Sequence, residues 1–192
     1  NFLGTIIFRM KTLFAFDFDN TIIDDDSDHY ILKCLAQDLL QQTKEMSAAG
    51  GQWTDICNWS VGELFKRGVT PIEISKVQRT VPFNPLMKQF LKSIHSQNHD
   101  VLVISDANTI YIDEISQEKG IDGYIKKVIT NPAHYDDAGR LHISRFTSTD
   151  QHCCPRCPPN LCKGRELKRF VQESQIYDRI VYIGDGANDF CP

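Results

Sequence analysis

The sequence predicts an α/β fold built on a parallel sheet, and three observations carry that expectation. Thr12-Leu13-Phe14-Ala15-Phe16, Val101-Leu102-Val103-Ile104 and Ile180-Val181-Tyr182-Ile183 are short, continuous apolar runs. Such runs suit strands buried on both faces. Segments of helical periodicity separate them, the alternation expected of a parallel sheet. Acidic and hydroxyl residues follow the runs: Asp17 and Asp19, Ser105 and Asp106, and Asp185. Open α/β sheets bind ligands beyond the carboxyl ends of their strands.

The first strand is expected over residues 12–18. Asp24-Asp25-Asp26-Ser27-Asp28 then opens a helix in which Ile31, Leu32, Leu35, Ala36, Leu39 and Leu40 recur at helical spacing. Ser27 and Asp28 are its expected N-caps. Ala48-Ala49-Gly50-Gly51 breaks it. A second helix buries Ile56, Trp59, Leu64 and Phe65 and stops at Gly68. Thr70-Pro71-Ile72-Glu73 has the cap, first-turn proline and capping-box acid of a third. Asn84-Pro85 starts another, with Leu86, Phe90, Leu91 and Ile94 as its buried side. After the second strand, Ile110, Ile112 and Ile115 mark a helix ending at Gly120. Ile125 to Ile129 is a short strand, and Ala138-Gly139-Arg140 a hairpin turn. Leu167, Phe170 and Val171 mark the last helix.

The predicted organisation is an α/β core over residues 10–24 and 86–192, interrupted by a helical cap over 25–85. Residues 1–9 read as an extension, because the chain opens on Asn1 and Met10 stands just before the first strand; they lack the basic lead and small-residue cleavage site of a signal peptide. Net charge is −4, without the basic stripe of a nucleic-acid binder. No apolar run approaches the roughly 20 residues of a membrane span. Seven cysteines, an odd number with no secretory signal, favour reduced thiols and a cytoplasmic location.

Two carboxylates two residues apart at a strand end can project into one site, one nucleophilic and one acidic. A carboxylate can hold a phosphoryl group covalently. Because a phosphate ester repels a carboxylate, such a site needs positive charge at the phosphoryl oxygens. Mg²⁺ meets that need through oxygen ligands. Gly184-Asp185-Gly186-Ala187-Asn188-Asp189 offers a sharp loop with two hard ligands, or simply an acidic turn. Lys163 could neutralise the phosphate as a point charge, and Ser105 could donate its hydroxyl. Each alone also reads as a surface lysine or a strand-end cap.

Together, Asp17-Phe18-Asp19-Asn20-Thr21, Ser105, Lys163 and the Gly184–Asp189 loop resemble the haloacid dehalogenase superfamily, with its Rossmann-like core. The second acid, Asp19, implies phosphoester hydrolysis, since the superfamily's dehalogenases lack an acid there and its ion pumps carry threonine. Ser27-Asp28, Ile104-Ser105-Asp106-Ala107-Asn108 and Cys157-Pro158-Pro159-Asn160-Leu161-Cys162-Lys163 narrow the resemblance to the PHOSPHO family. Its members include a phosphoethanolamine/phosphocholine phosphatase and a pyridoxal phosphate phosphatase. The resemblance implies a Mg²⁺-dependent phosphoric monoester hydrolase acting on a small-molecule phosphomonoester. Asp17 would be the nucleophile and Asp19 the acid/base. The Asp17 carboxylate, the Asp19 backbone carbonyl and Asp185 would hold the metal, and Ser105 and Lys163 the phosphoryl group. Asn188 would support the loop, and Asp189 would orient water at the metal or Lys163.

For the substrate, Asp28 and Asp106 are the expected partners of an ammonium head group. That favours phosphoethanolamine or phosphocholine, with pyridoxal phosphate as the alternative. Each also suits a helix cap. Cys153, Cys154, Cys157 and Cys162 form a cluster read first as a metal-free loop, second as structural zinc, and last as a redox pair. The rival from another class is an inactive fragment or zinc-stabilised binding module, disfavoured because Asp17, Asp19, Lys163 and Asp185 are all present. The chain stops at Cys191-Pro192, just past the last motif, which leads to the expectation of truncation within the core.

Overall fold

In the computed structural model, which describes residues 10–147, 152 and 154–192, six strands and seven α-helices follow one another. Residues 1–9, the expected extension, lie outside the described residues. The strands are β1 (Thr12–Phe16), β2 (Asp100–Asn108), β3 (Ile125–Asn131), β4 (Ala133–Tyr135), β5 (Leu141–Ile143) and β6 (Arg179–Ile183). Between β1 and β2 come α1 (Ser27–Leu35), α2 (Gln37–Ala48), α3 (Trp53–Lys66), α4 (Pro71–Arg79) and α5 (Pro85–Ser96). The helix α6 (Thr109–Lys119) links β2 to β3, and α7 (Lys163–Ser174) precedes β6.

β3, β2, β1 and β6 form one parallel sheet in that order, and β4 and β5 pair separately as an antiparallel hairpin. Phe14 lies opposite Val101 on one side and Val181 on the other. Alternate side chains of β1 and β2 enter two different cores. Leu13, Ala15, Leu102 and Ile104 pack with Leu167 and Phe170 of α7. Phe16, Val101 and Val103 pack with Leu91 and Ile94 of α5 and Ile112 and Ile115 of α6. Helices thus cover both faces of the sheet, the physical reason its central strands lack polar alternation.

Local chemistry sets most element ends. The Thr70–Glu73 capping box and Pro71 start α4, Asn84 caps α5, and Gly120 closes α6 in a left-handed conformation at φ 61°. Four expectations are corrected. The long helix after β1 is two helices, broken at Ala36 (φ −162°, ψ 76°), which keeps Leu32, Ala36 and Leu39 all buried as the chain changes direction. The N-cap of α1 is Asp26, whose side chain accepts from the His29 N–H; Ser27 and Asp28 are already helical. On α5, Leu86 is 65% exposed, and Phe90 is only partly covered, edge-on to Phe14 and Phe16. Phe65 on α3 is likewise exposed rather than buried.

One side chain fastens the amino-terminal edge of the sheet. Asp100 accepts from Lys11 Nζ at 2.8 Å, Lys126 Nζ at 2.5 Å and Tyr177 Oη at 2.8 Å. Burial works against its charge, but these three donors outweigh it and pull its pKa from 3.8 to about 2. A depressed carboxyl contributes stability that is present above the unfolded value and lost as pH falls through the folded one. Asp100→Asn is therefore expected to lose about 1 kcal/mol at neutral pH, solvent screening included. Chemical denaturation should show that deficit vanishing between pH 4 and 2, and a pH-independent deficit would contradict this role.

Candidate active site

At the carboxyl end of the sheet, three charged side chains from distant parts of the chain meet. Lys163, fully buried at the first position of α7, places Nζ 2.7 Å from Asp17 Oδ2 and 2.8 Å from Asp189 Oδ1. Asp17 follows β1 directly, and its other oxygen accepts from the Phe18 N–H at 2.7 Å. Burial pushes the Asp17 carboxyl above its ordinary value, with Lys163 opposing that rise. Burial also works against the Lys163 ammonium, but the Asp17 charge and the bonds to Asp17 and Asp189 outweigh it, so its pKa is raised.

Asp189 serves as an anchor. Oδ1 accepts from Lys163 and from Tyr182 Oη at 2.5 Å, and Oδ2 from the Gly186 N–H at 3.1 Å. Burial opposes its charge, but these donors hold its pKa below the usual value. A Cβ at Gly184 would lie 2.3 Å from Asp189 Cγ, so only glycine admits this approach.

Asp19 sits beside the amino terminus of α1, where its Oδ1 accepts from the Ser27 N–H at 3.0 Å. Burial raises its pKa well above the carboxylate range, the charges of Asp26 and Asp28 add to the rise, and the Ser27 bond opposes it. The carboxyl is thus biased toward the protonated form of a general acid. Just past Asp19 the chain turns tightly, and Asn20 adopts φ 52°, a left-handed conformation that asparagine tolerates.

A cavity of about 640 Å³ opens over these groups. Asp17, Asp19, Ser105, Asp106, Asp185 and Asn188 line its floor, and Asp26, His29, Lys44 and Trp53 its helical side. Ser105 Oγ accepts from the Ala107 N–H at 3.2 Å, which leaves its hydroxyl proton available. Asn188 Nδ2 donates to Asp106 Oδ2 at 3.0 Å, and burial raises the Asp106 pKa. Carboxylate oxygens of Asp17, Asp185 and Asp189 lie within 4.8 Å of one another. This cluster of hard oxygen donors fits a small divalent cation.

Asp28 is placed otherwise than the sequence reading assumed. It does not line the cavity. Its Oδ2 accepts from Trp53 Nε1 at 3.2 Å and Cys57 Sγ at 3.1 Å, behind the helical wall. Burial, then the Asp26 charge, pushes its pKa up to about 7. Asp26, two residues earlier, is the carboxylate that faces the cavity and pairs with His29.

The sequence reading also missed His29 and Trp53, whose rings lie 5.0 Å apart between centroids, and Asn160. Asn160 is buried, lines the cavity and donates to Thr54 Oγ1 at 2.9 Å and Asn131 Oδ1 at 2.7 Å. Only Asn160 carried a signal, standing three residues before Lys163 in the Cys157–Lys163 run.

A parallel sheet of this order, with a strand-end aspartate paired to a buried lysine and an acidic loop after the last strand, defines a phosphatase of the haloacid dehalogenase type. The family model described as "Putative Phosphatase" matches residues 12–192. The "Pyridoxal phosphate phosphatase PHOSPHO2" of Bos taurus is 39% identical over 193 residues, covering 95% of this chain and 77% of that protein. The "Inorganic pyrophosphatase 2" of Arabidopsis thaliana is 37% identical over 185 residues, covering 93% and 64%. Among solved structures, a haloacid dehalogenase family hydrolase from Salmonella enterica serovar Typhi shares the fold with a TM-score of 0.69 at 18% identity, covering 95% of this chain and 58% of that one. The chain belongs to the PHOSPHO family of phosphatases.

Proposed function

We propose that this phosphatase is a Mg²⁺-dependent phosphomonoesterase working through an aspartyl phosphate, with residues 25–85 as a cap over the core formed by 10–24 and 86–192. The observation that carries the reading is Lys163, buried between Asp189 and Asp17, the last of which lines the cavity. Asp17 attacks phosphorus in line and forms an O–P bond as the ester O–P bond breaks. Asp19 gives its proton to the leaving oxygen. It then takes a proton from the water that attacks the acyl phosphate, which regenerates Asp17 and releases phosphate. Lys163 offsets the charge on the transferring group, and the Ser105 hydroxyl donates to one of its oxygens. The Asp17 and Asp185 carboxylates and the Asp19 backbone carbonyl would hold Mg²⁺, which supplies further positive charge at the phosphoryl oxygens.

For the leaving group, the cavity wall favours an aromatic phosphate of the pyridoxal phosphate type. Trp53 and His29 offer aromatic surface. The Asp26 bond, outweighing burial, raises the His29 pKa, which favours its protonated form, and Lys44 is a cation on that side. Positive charge there opposes an ammonium head group. The second reading, phosphoethanolamine or phosphocholine, draws on Asp26 and Asp106, the two carboxylates that do line the cavity. A rival substrate of similar charge is pyrophosphate, the ligand named for the Arabidopsis relative.

Steady-state kcat/KM for pyridoxal phosphate, phosphocholine, phosphoethanolamine and pyrophosphate, with and without Mg²⁺, tests this. Pyridoxal phosphate is expected to lead, and Trp53→Ala to lower its kcat/KM by about five- to tenfold. A preference for phosphocholine that Asp106→Asn or Asp26→Asn abolishes would establish the amino-alcohol reading instead. Turnover of every ester unchanged by metal removal would sink the Mg²⁺ assignment.

A further inference from the structure

Two stretches of chain that carry separate parts of the catalytic set are also joined by sulfur. Cys154, Cys157 and Cys162 lie in the segment leading into α7, and Cys191 follows Asp189 by two residues. The four Sγ atoms all lie within 4.8 Å of one another. Cys191 Sγ is 3.4 Å from Cys154 Sγ and 3.2 Å from Cys157 Sγ. These separations are too long for disulfides, whose S–S bond is about 2.05 Å. A tetrahedron with metal–sulfur distances of about 2.3 Å has sulfur–sulfur edges of about 3.8 Å, within the observed range.

The surroundings suit four thiolates about one cation. Cys154-Pro155-Arg156-Cys157 is a C-x-x-C turn, the ligand spacing of many zinc sites. Cys162 is buried and stands immediately before the first residue of α7. A Cβ at Gly164 would lie 2.4 Å from the Cys191 carbonyl oxygen, so the first turn of α7 and the Cys191 segment approach as closely as glycine allows.

The sequence reading preferred a metal-free loop here because the usual second C-x-x-C pair is missing. The fourth thiol comes instead from beyond β6. Cys153, which that reading counted in the cluster, lies outside the described residues.

We propose that Cys154, Cys157, Cys162 and Cys191 form a tetrahedral zinc site. Four protein ligands leave no open position, so the site is structural. Soft thiolates in a tetrahedral S₄ set select zinc or iron, and zinc needs no redox partner. Its role is positional. Cys162 is bonded directly to Lys163, and Cys191 lies two residues past Asp189, so the zinc clamps together the segments whose side chains meet at 2.8 Å. The site is independent of the substrate reading, and its test reads metal rather than turnover.

The full chain, purified without chelator, is expected to carry one zinc per molecule by elemental mass spectrometry. Cys191→Ser and Cys157→Ser are expected to lose it, while Cys34→Ser, on the exposed surface of α1, keeps it. Because a ligand-deleted chain can misfold, exchange of Co²⁺ into the unmutated protein provides a second readout. Thiolate-to-cobalt charge transfer and intense tetrahedral d–d bands support the site. Full zinc content in Cys191→Ser overturns it. So does an unmutated protein that takes up no zinc or Co²⁺ and whose thiols titrate freely, or one that binds iron in place of zinc.

Discussion

Asp17→Asn is expected to remove turnover while leaving the fold intact. Loss of a nucleophile that acts with its partners as a unit costs several orders of magnitude, about 10⁴-fold or more in kcat. Asparagine keeps the shape, its single amide oxygen can accept from either the Phe18 N–H or Lys163, and Asp189 still pairs with Lys163. The stability effect runs opposite to intuition. The Asp17 pKa is raised by burial, so its ionised form costs folding energy at neutral pH. A neutral isostere removes that cost, and the thermal midpoint is expected to hold or rise. Steady-state kinetics beside a thermal melt checks both halves. Activity within tenfold of the unmutated protein would remove Asp17 from its role, and a collapse in the midpoint would make it structural.

Lys163→Met should be equally inactive and, by contrast, strongly destabilised. Methionine fills a similar volume but leaves Asp17 and Asp189 without the ammonium that holds them 2.7 and 2.8 Å from one nitrogen. Breaking a buried pair by removing one partner costs about 3–5 kcal/mol, because the remaining charge is stranded. In a domain of this size that is a drop of roughly 10 °C in Tm. The double variant Asp17→Asn/Lys163→Met is expected to recover part of the loss, since one stranded carboxylate becomes neutral. Such non-additivity is the signature of a shared ion cluster. Strict additivity, or a Tm within 2 °C for the single variant, would mean that the triad contributes little to the fold.

The sheet was legible because its central strands are buried on both faces and so read as unbroken apolar runs, as at Phe14-Ala15-Phe16. The Thr70–Glu73 capping box and the Gly120 stop were legible because they are local chemistry. Asp17, Asp19, Ser105, Asp106 and Asp185 could be gathered at one end of the sheet before any coordinates, because strand ends of a parallel sheet share a side. What depended on rotation or distance could not be read. Asp26 and Asp28 differ by two residues, about 200° around a helix start, and so face opposite sides of one wall. The break at Ala36 leaves helical spacing almost undisturbed on either side and therefore gave no signal. Cys191 is separated from Cys162 by all of α7 and β6, and no spacing rule connects them.

The sheet order has a consequence for synthesis. β1 is made early, yet it sits between β2 and β6, and Thr12 finds its partner only when Arg179 exists. At about 5–20 residues per second on the ribosome, the strand waits on the order of ten to thirty seconds with one edge unmatched. During that time Leu13 to Phe16 is an apolar segment with free backbone groups, the kind that templates pairing between nascent chains. Asp17 is thus made long before Lys163, the lysine it pairs with, and the growing chain carries both an unmatched edge and an unpaired charge until the last quarter of the sequence arrives.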